Sequence, residues 1–508
     1  MIIKPENKTT KYIFVISAII SFLTPLTMYI LTLQPKIMGG ESSLYALNIP
    51  RMVVLPPTGY PIYSLLAKLF TLMPVGDLAY KINLFSAVFG ALTILLLFFT
   101  IYLLVKDEII SLAVSLTFAF IIPFWSGANR IGAGTIDLCF IILAIYMAIR
   151  YSEQINRKNL YLFFFCFGLS LTNNQVNYYV MPVFLIYVIL LNPGIFKNYK
   201  VTIFCILFFI LPLFSYSYIF IRSIQGYGIA NNFIIFIYYM FGRLPDGSIY
   251  IGSLPFKTNR EAFTVFLTYL QPLYKNFGLY LFIISFGGFV YLIKKNLKLA
   301  IFSFLFIIVT FYISIQYLDA PVISYLLPVY AILCIYSSYF FLLIKDLLAI
   351  LIKKLLKNKK IVKTQNYSYH IPITIILLLL LIQPIIIATA NYKYSDNSKL
   401  DEAYTSWNKI FNNIEDDSYL YVFSKVSNVG TYINLYEQKE KGITFITNKD
   451  KDYSLDLITK IFNEGKTVYI IGNEQDINKK LNFEKTALGF ELKNMDEILT
   501  VEKITSEK

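Results

Sequence analysis

Long apolar runs separated by short polar segments dominate the chain from residue 12 to about residue 390. A spanning helix needs about 20 predominantly apolar residues. Runs of that character fall at 12–33, 82–105, 109–125, 135–150, 160–173, 176–191, 201–222, 277–293, 299–317, 322–345 and 371–390. The two runs within 160–191 are short enough to read as a kinked hairpin. Positive charge tests this partition. With the N-terminus in the cytoplasm, the inner segments hold Lys106; Arg150, Arg157 and Lys158; Lys197 and Lys200; Lys294, Lys295 and Lys298; and a cluster from Lys345 to Lys363. That is the positive-inside distribution. Eleven spans place the C-terminal tail outside, together with the polar segments 34–81, 126–134 and 223–276. The first run passes signal-peptide length without an A-x-A-like cleavage site, and it reads as an uncleaved signal anchor.

The period changes after residue 390. Short β-type runs, YLYVFS at 419–424, ITFIT at 443–447 and TVYIIG at 467–472, alternate with helical patterns at 400–414 and 454–464. Strands alternating with helices predict a small α/β domain with a partly parallel sheet. The expected fold is therefore an α-helical polytopic membrane domain, residues 1–390 with about 11 transmembrane helices and external loops 34–81 and 223–276, followed by a soluble extracytoplasmic α/β domain at 391–508. No GxGxxG or P-loop motif supports nucleotide binding.

Composition agrees with the membrane class: 57% of residues are hydrophobic and 15% charged, against about 45–50% and about 25% in soluble domains. The net charge of +14 does not point to nucleic acid, because the lysines sit in short segments between apolar runs and mark topology. Cys139, Cys166, Cys205 and Cys334 all fall inside apolar runs, which leaves no disulfide framework or zinc site. The sole histidine, His370, lies at the cytoplasmic end of the last run, away from any external site.

Polar residues at the outer ends of the spans are where chemistry is sought. The stretch MGGESSLYALNIPRMVVLPPTGYPIY at 38–63 interrupts the helices with Gly and Pro, and irregular backbone of this kind cannot lie in hydrocarbon. It holds Glu41, the only acid between Glu6 and Asp77, and Arg51. PIYSLLAKLFTLMP at 61–74 is too short to span and reads as an interfacial helix. Glu41 reads equally as an exposed loop acid or as a base near an apolar interface with Arg51 as its cation. Trp125, Asn129 and Arg130 follow at the next outer end. Asp137 falls early in a span, where an ionisable residue is a functional candidate by default and otherwise a partner of the helix dipole. TNNQVN at 172–177 breaks the hairpin with amides that need partners or a cavity, or that simply form a tight polar turn. Arg222, Arg243, Lys257 and Arg260, with Asp246 and Glu261, populate the large outer loop, and Asp319 marks another outer helix start. Arginine suits bidentate phosphate capture, although a single exposed arginine is more often a snorkelling charge.

Taken together, these blocks resemble a family of polytopic glycosyltransferase-like proteins of the GT-C superfamily that includes an ER protein O-mannosyltransferase. Pro57, Gly59, Tyr60, Pro61, Tyr63, Lys68, Phe70, Pro74, Gly76, Asn83, Leu84, Ser86 and Ala87 fit the family's opening pattern. FWSGANRIGAGTIDL at 124–138 and FGLSLTNNQVNYYVMP at 167–182 resemble its next two blocks. The resemblance implies a GT-C fold in the lipid bilayer, a polyprenyl-phosphate sugar donor, and transfer to a protein or glycan hydroxyl on the outer face. Glu41 matches the family's first-loop acid, the base. Arg51, Arg130 and Arg243 become candidates to stabilise the leaving phosphate, and Tyr60, Asn174 and Asp137 candidates for substrate contact. The chain departs from the pattern where Leu44 replaces a second acid, Pro56 a histidine and Gly132 a glutamate, and where Asn174 or Gln175 stands near another histidine. A divalent cation is a possible cofactor, although one loop acid makes a poor cage for it. Two alternatives to a transferase are a catalytically silent relative, which the departures keep open, and a transporter or flippase of lipid-linked substrate. Against the latter stand the odd span count and the absence of an internal repeat. The topology is tested by labelling: Asp450→Cys is expected to react with a membrane-impermeant maleimide from the outer side, and reaction only from the cytoplasm contradicts it.

Overall fold

The computed structural model describes residues 8–248, most of 264–314, 325–357, 378–422, 427–438, 441–447, most of 460–472, 488–494 and 500–506. Lys257, Arg260, Glu261, Asp319 and His370 lie outside the described residues, as do the first part of the run 371–390 and most of the helical pattern at 454–464. The chain folds as two compact units. One comprises residues 1–33, 52–73 and 82–397, and the other 34–51, 74–81 and 398–508.

The first unit is helical. Among the described residues six helices are long and apolar enough to cross a membrane: Lys11–Leu31, Leu78–Val105, Gly134–Glu153, Tyr199–Tyr227, Leu297–Ser314 and Leu327–Ile352. A seventh is counted if the pair α5 (Glu108–Ala119) and α6 (Ile122–Ala128), bent by 71°, is one span. This pair occupies the single run expected at 109–125. Pro123, in the first turn of α6, has no N–H to give to the preceding turn, so the helix stops and restarts in a new direction. The other apolar runs are carried by shorter helices: α8 (Arg157–Ser170), α9 (Met181–Leu191), α13 (Leu279–Lys295) and α16 (Ile382–Ser395).

Helix starts follow from local chemistry. Asp107 precedes α5 and accepts the Ile110 N–H at 2.9 Å. Asn156, before α8, accepts the Asn159 N–H at 2.9 Å. Asn232 does the same for Ile235, also at 2.9 Å, at the start of α12 (Phe233–Met240). Each side chain satisfies one of the N–H groups that a helix start leaves unpaired. Asp107 also accepts from Lys345 Nζ at 2.5 Å, joining α5 to α15 (Leu327–Lys357). With its side chain only 8% exposed, Asp107 needs that cation.

Helices α13 and α15 approach very closely. A Cβ placed on Gly288 would lie 1.7 Å from the Tyr336 carbonyl oxygen, so only glycine fits there. Beside it Ser285 Oγ meets the Leu333 carbonyl at 2.8 Å and Ser337 Oγ at 2.9 Å. Small and hydroxyl residues thus replace bulky packing at this contact, a common solution between helices in lipid.

The second unit holds a five-stranded sheet of β1 (Tyr419–Val422), β2 (Thr444–Thr447), β3 (Val468–Gly472), β4 (Leu488–Asn494) and β5 (Thr500–Ser506), in the order β2-β1-β3-β5-β4. β1 lies parallel to β2 and β3, pairing Tyr419 with Thr444 and with Val468. β5 runs antiparallel to β3 and to β4, pairing Ile470 with Glu502 and Leu488 with Ser506. α17 (Glu402–Asn413) and α18 (Ser427–Tyr436) cover it. Their buried face is Trp407, Ile410 and Phe411 with Val429, Tyr432 and Ile433, and Gly430 gives the Trp407 ring its space.

Gly288→Ala is expected to lower the stability of the membrane unit by about 1–3 kcal/mol through overpacking, seen as a fall in thermal midpoint in detergent. Gly127→Ala, where an added Cβ meets nothing within 4 Å, serves as the neutral control.

Candidate functional site

Residues 34–51, nominally a loop between spans, fold as part of the second unit. Gly40 adopts φ 71° and caps α2 (Glu41–Asn48), which continues as a 3-10 turn to Arg51. Glu41 is thus the first residue of a helix, exposed, where its charge is favoured by the positive end of the dipole. Arg51 stands ten residues further on, about 15 Å away at the helical rise of about 1.5 Å per residue. The two candidates therefore begin and end one helical segment.

Contacts of Tyr436 and Tyr404 tie this segment to α18 and α17, and residues 74–81 join them through Asp77 and Ala79. Tyr436 Oη donates to the Leu47 carbonyl at 2.9 Å, satisfying the C-terminal end of α2. Tyr432 Oη accepts the Ala79 N–H at 3.0 Å. Lys36 Nζ pairs with Asp77 Oδ2 at 2.7 Å and lies 4.5 Å from the centre of the Tyr404 ring. Tyr404 Oη in turn donates to Glu437 at 2.6 Å. Burial alone would lower the Lys36 amine, but the hydrogen bond and charge of Asp77, helped by Tyr404 and Glu437, hold it above its ordinary value. Burial raises the Tyr436 phenol, and the neighbouring Arg51 guanidinium partly opposes that.

In the membrane unit, the return of the chain at 52–61 is stitched by the segment after the seventh apolar run. Arg222 Nε donates to the Met52 carbonyl at 2.8 Å, Val54 N–H to the Tyr227 carbonyl at 2.8 Å, and Tyr239 Oη to the Leu55 carbonyl. Irregular backbone at this level thus has its partners inside the protein. Gly59, at φ 85°, is required twice over: a Cβ there would lie 2.3 Å from Ile219. Tyr60 follows in the left-handed region at φ 46° and leads into α3 (Pro61–Phe70). The Tyr63 N–H in the first turn of α3 is taken by Asn173 Oδ1 at 3.3 Å.

Asp137, in the first turn of α7 (Gly134–Glu153), accepts from Asn174 Nδ2 at 2.7 Å and from Asn177 Nδ2 at 3.0 Å. Asn177 Nδ2 also reaches the Ser170 carbonyl at 3.1 Å. Asn173, Asn174 and Asn177 therefore close the α8–α9 hairpin onto α3 and α7. Trp125 and Asn129 act similarly. Trp125 Nε1 donates to Thr32 Oγ1 at 2.9 Å, and Asn129 Nδ2 to the Thr32 and Ser395 carbonyls at 2.9 and 2.6 Å. Asn397 Nδ2 completes the set on Asn129 Oδ1 at 2.6 Å. Arg130 is exposed just after α6. Arg243, also exposed, donates to the Gly247 carbonyl at 2.9 Å across a turn.

Of the sequence candidates, Asp137 and Asn174 are in direct contact, while Glu41 and Arg51 belong to one helical segment of the other unit. Tyr60, Arg130 and Arg243 occupy separate positions on the membrane unit. Sequence reading passed over Lys36, Asp77, Tyr432 and Tyr436. A lone lysine and a lone acid near the two ends of the loop 34–81 were the available signal for the first pair. Among the described residues no three His, Cys, Asp or Glu side chains converge on one point.

Two solved structures share the fold. ArnT from Cupriavidus metallidurans, solved bound to undecaprenyl phosphate, superposes with a TM-score of 0.62 at 13% identity, covering 96% of this chain and 97% of ArnT. The archaeal oligosaccharyltransferase AglB from Archaeoglobus fulgidus, in complex with an inhibitory peptide and a dolichol-phosphate, gives 0.53 at 12% identity over 96% of this chain and 73% of AglB. Residues 42–194 match the family described as the Protein O-mannosyl-transferase TMEM260 N-terminal domain, so the resemblance read from the sequence holds. Protein O-mannosyl-transferase TMEM260 of Mus musculus is 29% identical over 138 residues, 27% of this chain and 20% of that protein. The Dictyostelium discoideum protein of the same description is 22% identical over 138 residues, 27% of this chain and 17% of that protein. The matched stretch thus spans about a fifth of the length of these relatives. The chain is a multi-pass integral membrane protein.

Asp137→Ala removes the acceptor of two amides. It is expected to destabilise the membrane unit by about 2–3 kcal/mol, read as a lower thermal midpoint in detergent, whereas an unchanged midpoint would deny Asp137 this structural part.

Proposed function

We propose that the chain is a membrane glycosyltransferase that moves a sugar from a polyprenyl-phosphate donor to a hydroxyl of a protein or glycan on the outer face. The observation that carries this reading is the fold likeness along nearly the whole chain to a protein solved with undecaprenyl phosphate, joined to the TMEM260 match over residues 42–194. The reading includes the full topology expected from the sequence: eleven crossings, a cytoplasmic N-terminus, a membrane domain 1–390 and an extracytoplasmic domain 391–508.

The chemistry needs few groups. The acceptor oxygen attacks the anomeric carbon as a carboxylate takes its proton, the glycosidic C–O bond forms, and the C–O bond to the lipid phosphate breaks with inversion. The phosphate leaves as an anion and needs no proton, only cationic hydrogen-bond donors. Glu41 is assigned as the base: it stands exposed in the first turn of α2. Arg51, Arg130 and Arg243 are the candidate phosphate contacts. Tyr60, Asn174 and Asp137 are assigned to substrate contact, the last two as an already ordered amide–carboxylate pair.

Glu41→Gln keeps the size and helix position of the side chain but cannot accept the proton. With purified protein and polyprenyl-phosphate mannose, turnover is expected to fall roughly 100-fold or more, with donor binding retained. Unchanged turnover would remove Glu41 from the role of base.

A further inference from the structure

Two neighbouring residues at the end of α18 hold both ends of the segment that carries Glu41. Tyr436 Oη donates its one proton to the Leu47 carbonyl at 2.9 Å, and the Arg51 guanidinium is its other hydrogen-bonding neighbour. A phenol oxygen can serve both, having one proton to give and lone pairs to accept with. Leu47 lies in the last turn of α2, and Arg51 ends the 3-10 turn that follows. One oxygen thus meets a carbonyl that the helix end leaves unpaired and the arginine beyond it. The next residue, Glu437, accepts the Tyr404 Oη proton at 2.6 Å, and the Tyr404 ring centre lies 4.5 Å from Lys36 Nζ, before the helix. The chain passes through the left-handed region at Gly40, φ 71°, and again at Met52, φ 56°, so α2 does not continue the elements on either side. Its face of Tyr45, Ala46 and Leu47 is buried, but apolar contact is non-directional. The Tyr436 bonds are directional, and they fix how the helix points.

We propose that Tyr436 is the positioning residue of the transfer site: by holding Leu47 and Arg51 it sets where the Glu41 carboxylate and the Arg51 guanidinium are presented. This deepens the glycosyltransferase reading and rests on it. Tyr436 acts through the residues it holds and not on the substrate. A misplacement of about 1 Å at a reacting group can cost about 100-fold in rate, so a hydrogen bond that orients the segment bears on turnover far more than on folding. Leu47 and Tyr436 are 389 residues apart, yet both belong to the unit that contains the sheet. The α/β domain is then a working part of the site, because its helix α18 aims the base.

Tyr436→Phe removes only the hydroxyl. Tyr432→Phe does the same one turn earlier on α18, where the oxygen accepts the Ala79 N–H at 3.0 Å and so holds residues 74–81 instead of α2. With polyprenyl-phosphate mannose and a hydroxylated peptide acceptor, kcat of Tyr436→Phe is expected to fall about tenfold. Tyr432→Phe should keep a kcat near that of the wild type, although its thermal midpoint falls at least as far, because it leaves a buried N–H unpaired. Placement is read separately by spin labels at Glu41→Cys and Asn412→Cys, the latter exposed on α17, since Cys139, Cys166, Cys205 and Cys334 are buried. The distance between the labels should be narrowly distributed with Tyr436 in place, equally so in Tyr432→Phe, and should broaden or shift in Tyr436→Phe. An unchanged distribution, or an unchanged kcat in Tyr436→Phe while the wild type consumes donor, overturns the positioning role alone. Equal loss of kcat in both variants overturns it as well, since the effect then follows stability. A wild type that consumes no donor overturns the transferase reading and the positioning role together.

Discussion

A polar backbone group that leaves a helix at membrane depth must find a partner inside the protein, and the arrangement of the membrane unit follows from that requirement. Helix ends meet one another through side chains that carry several bonds each. Asn129 gathers the end of the first helix, the end of α6 and the end of α16 through Thr32, Ser395 and Asn397. Asn173 serves the start of α3, and Asp137 holds the amides of the hairpin turn. The irregular return at 52–59 is paired with Arg222, Tyr227 and Tyr239 in the same way. These asparagines, aspartates and tyrosines sit where function would be sought, and much of their bonding capacity is structural.

That double use explains how much was legible beforehand. Apolar length marks spans because every spanning helix must satisfy its own backbone, and the three strand patterns at 419–424, 443–447 and 467–472 coincide with β1, β2 and β3. Period alone did not disclose α2, since ESSLYALN is short and mixed, nor β4 and β5, where charge interrupts the alternation. The bend between α5 and α6 was visible only as Pro123 within an unbroken apolar run. What was least legible was partnership across distance. Asp77 is 41 residues from Lys36, and Tyr436 is 389 residues from Leu47. No local pattern records such pairs, so residues 34–51 read as a loop of the membrane domain although they fold with residues 398–508.

The departures from the family pattern acquire a physical setting. Leu44 lies within α2, the Pro56 carbonyl closes the turn by accepting the Gly59 N–H at 2.7 Å, and the Gly132 carbonyl accepts from Ser86 Oγ at 3.4 Å. None of these three positions carries a charged side chain.

The central claim is that a polyprenyl-phosphate sugar is consumed rather than moved. Purified protein in proteoliposomes loaded with a radiolabelled polyprenyl-phosphate sugar, and supplied with a hydroxylated peptide acceptor on the side of the C-terminal domain, tests it directly. The account predicts label appearing on the acceptor with stoichiometric release of polyprenyl phosphate. Donor recovered intact, whether left in place or carried to the opposite leaflet, would contradict it.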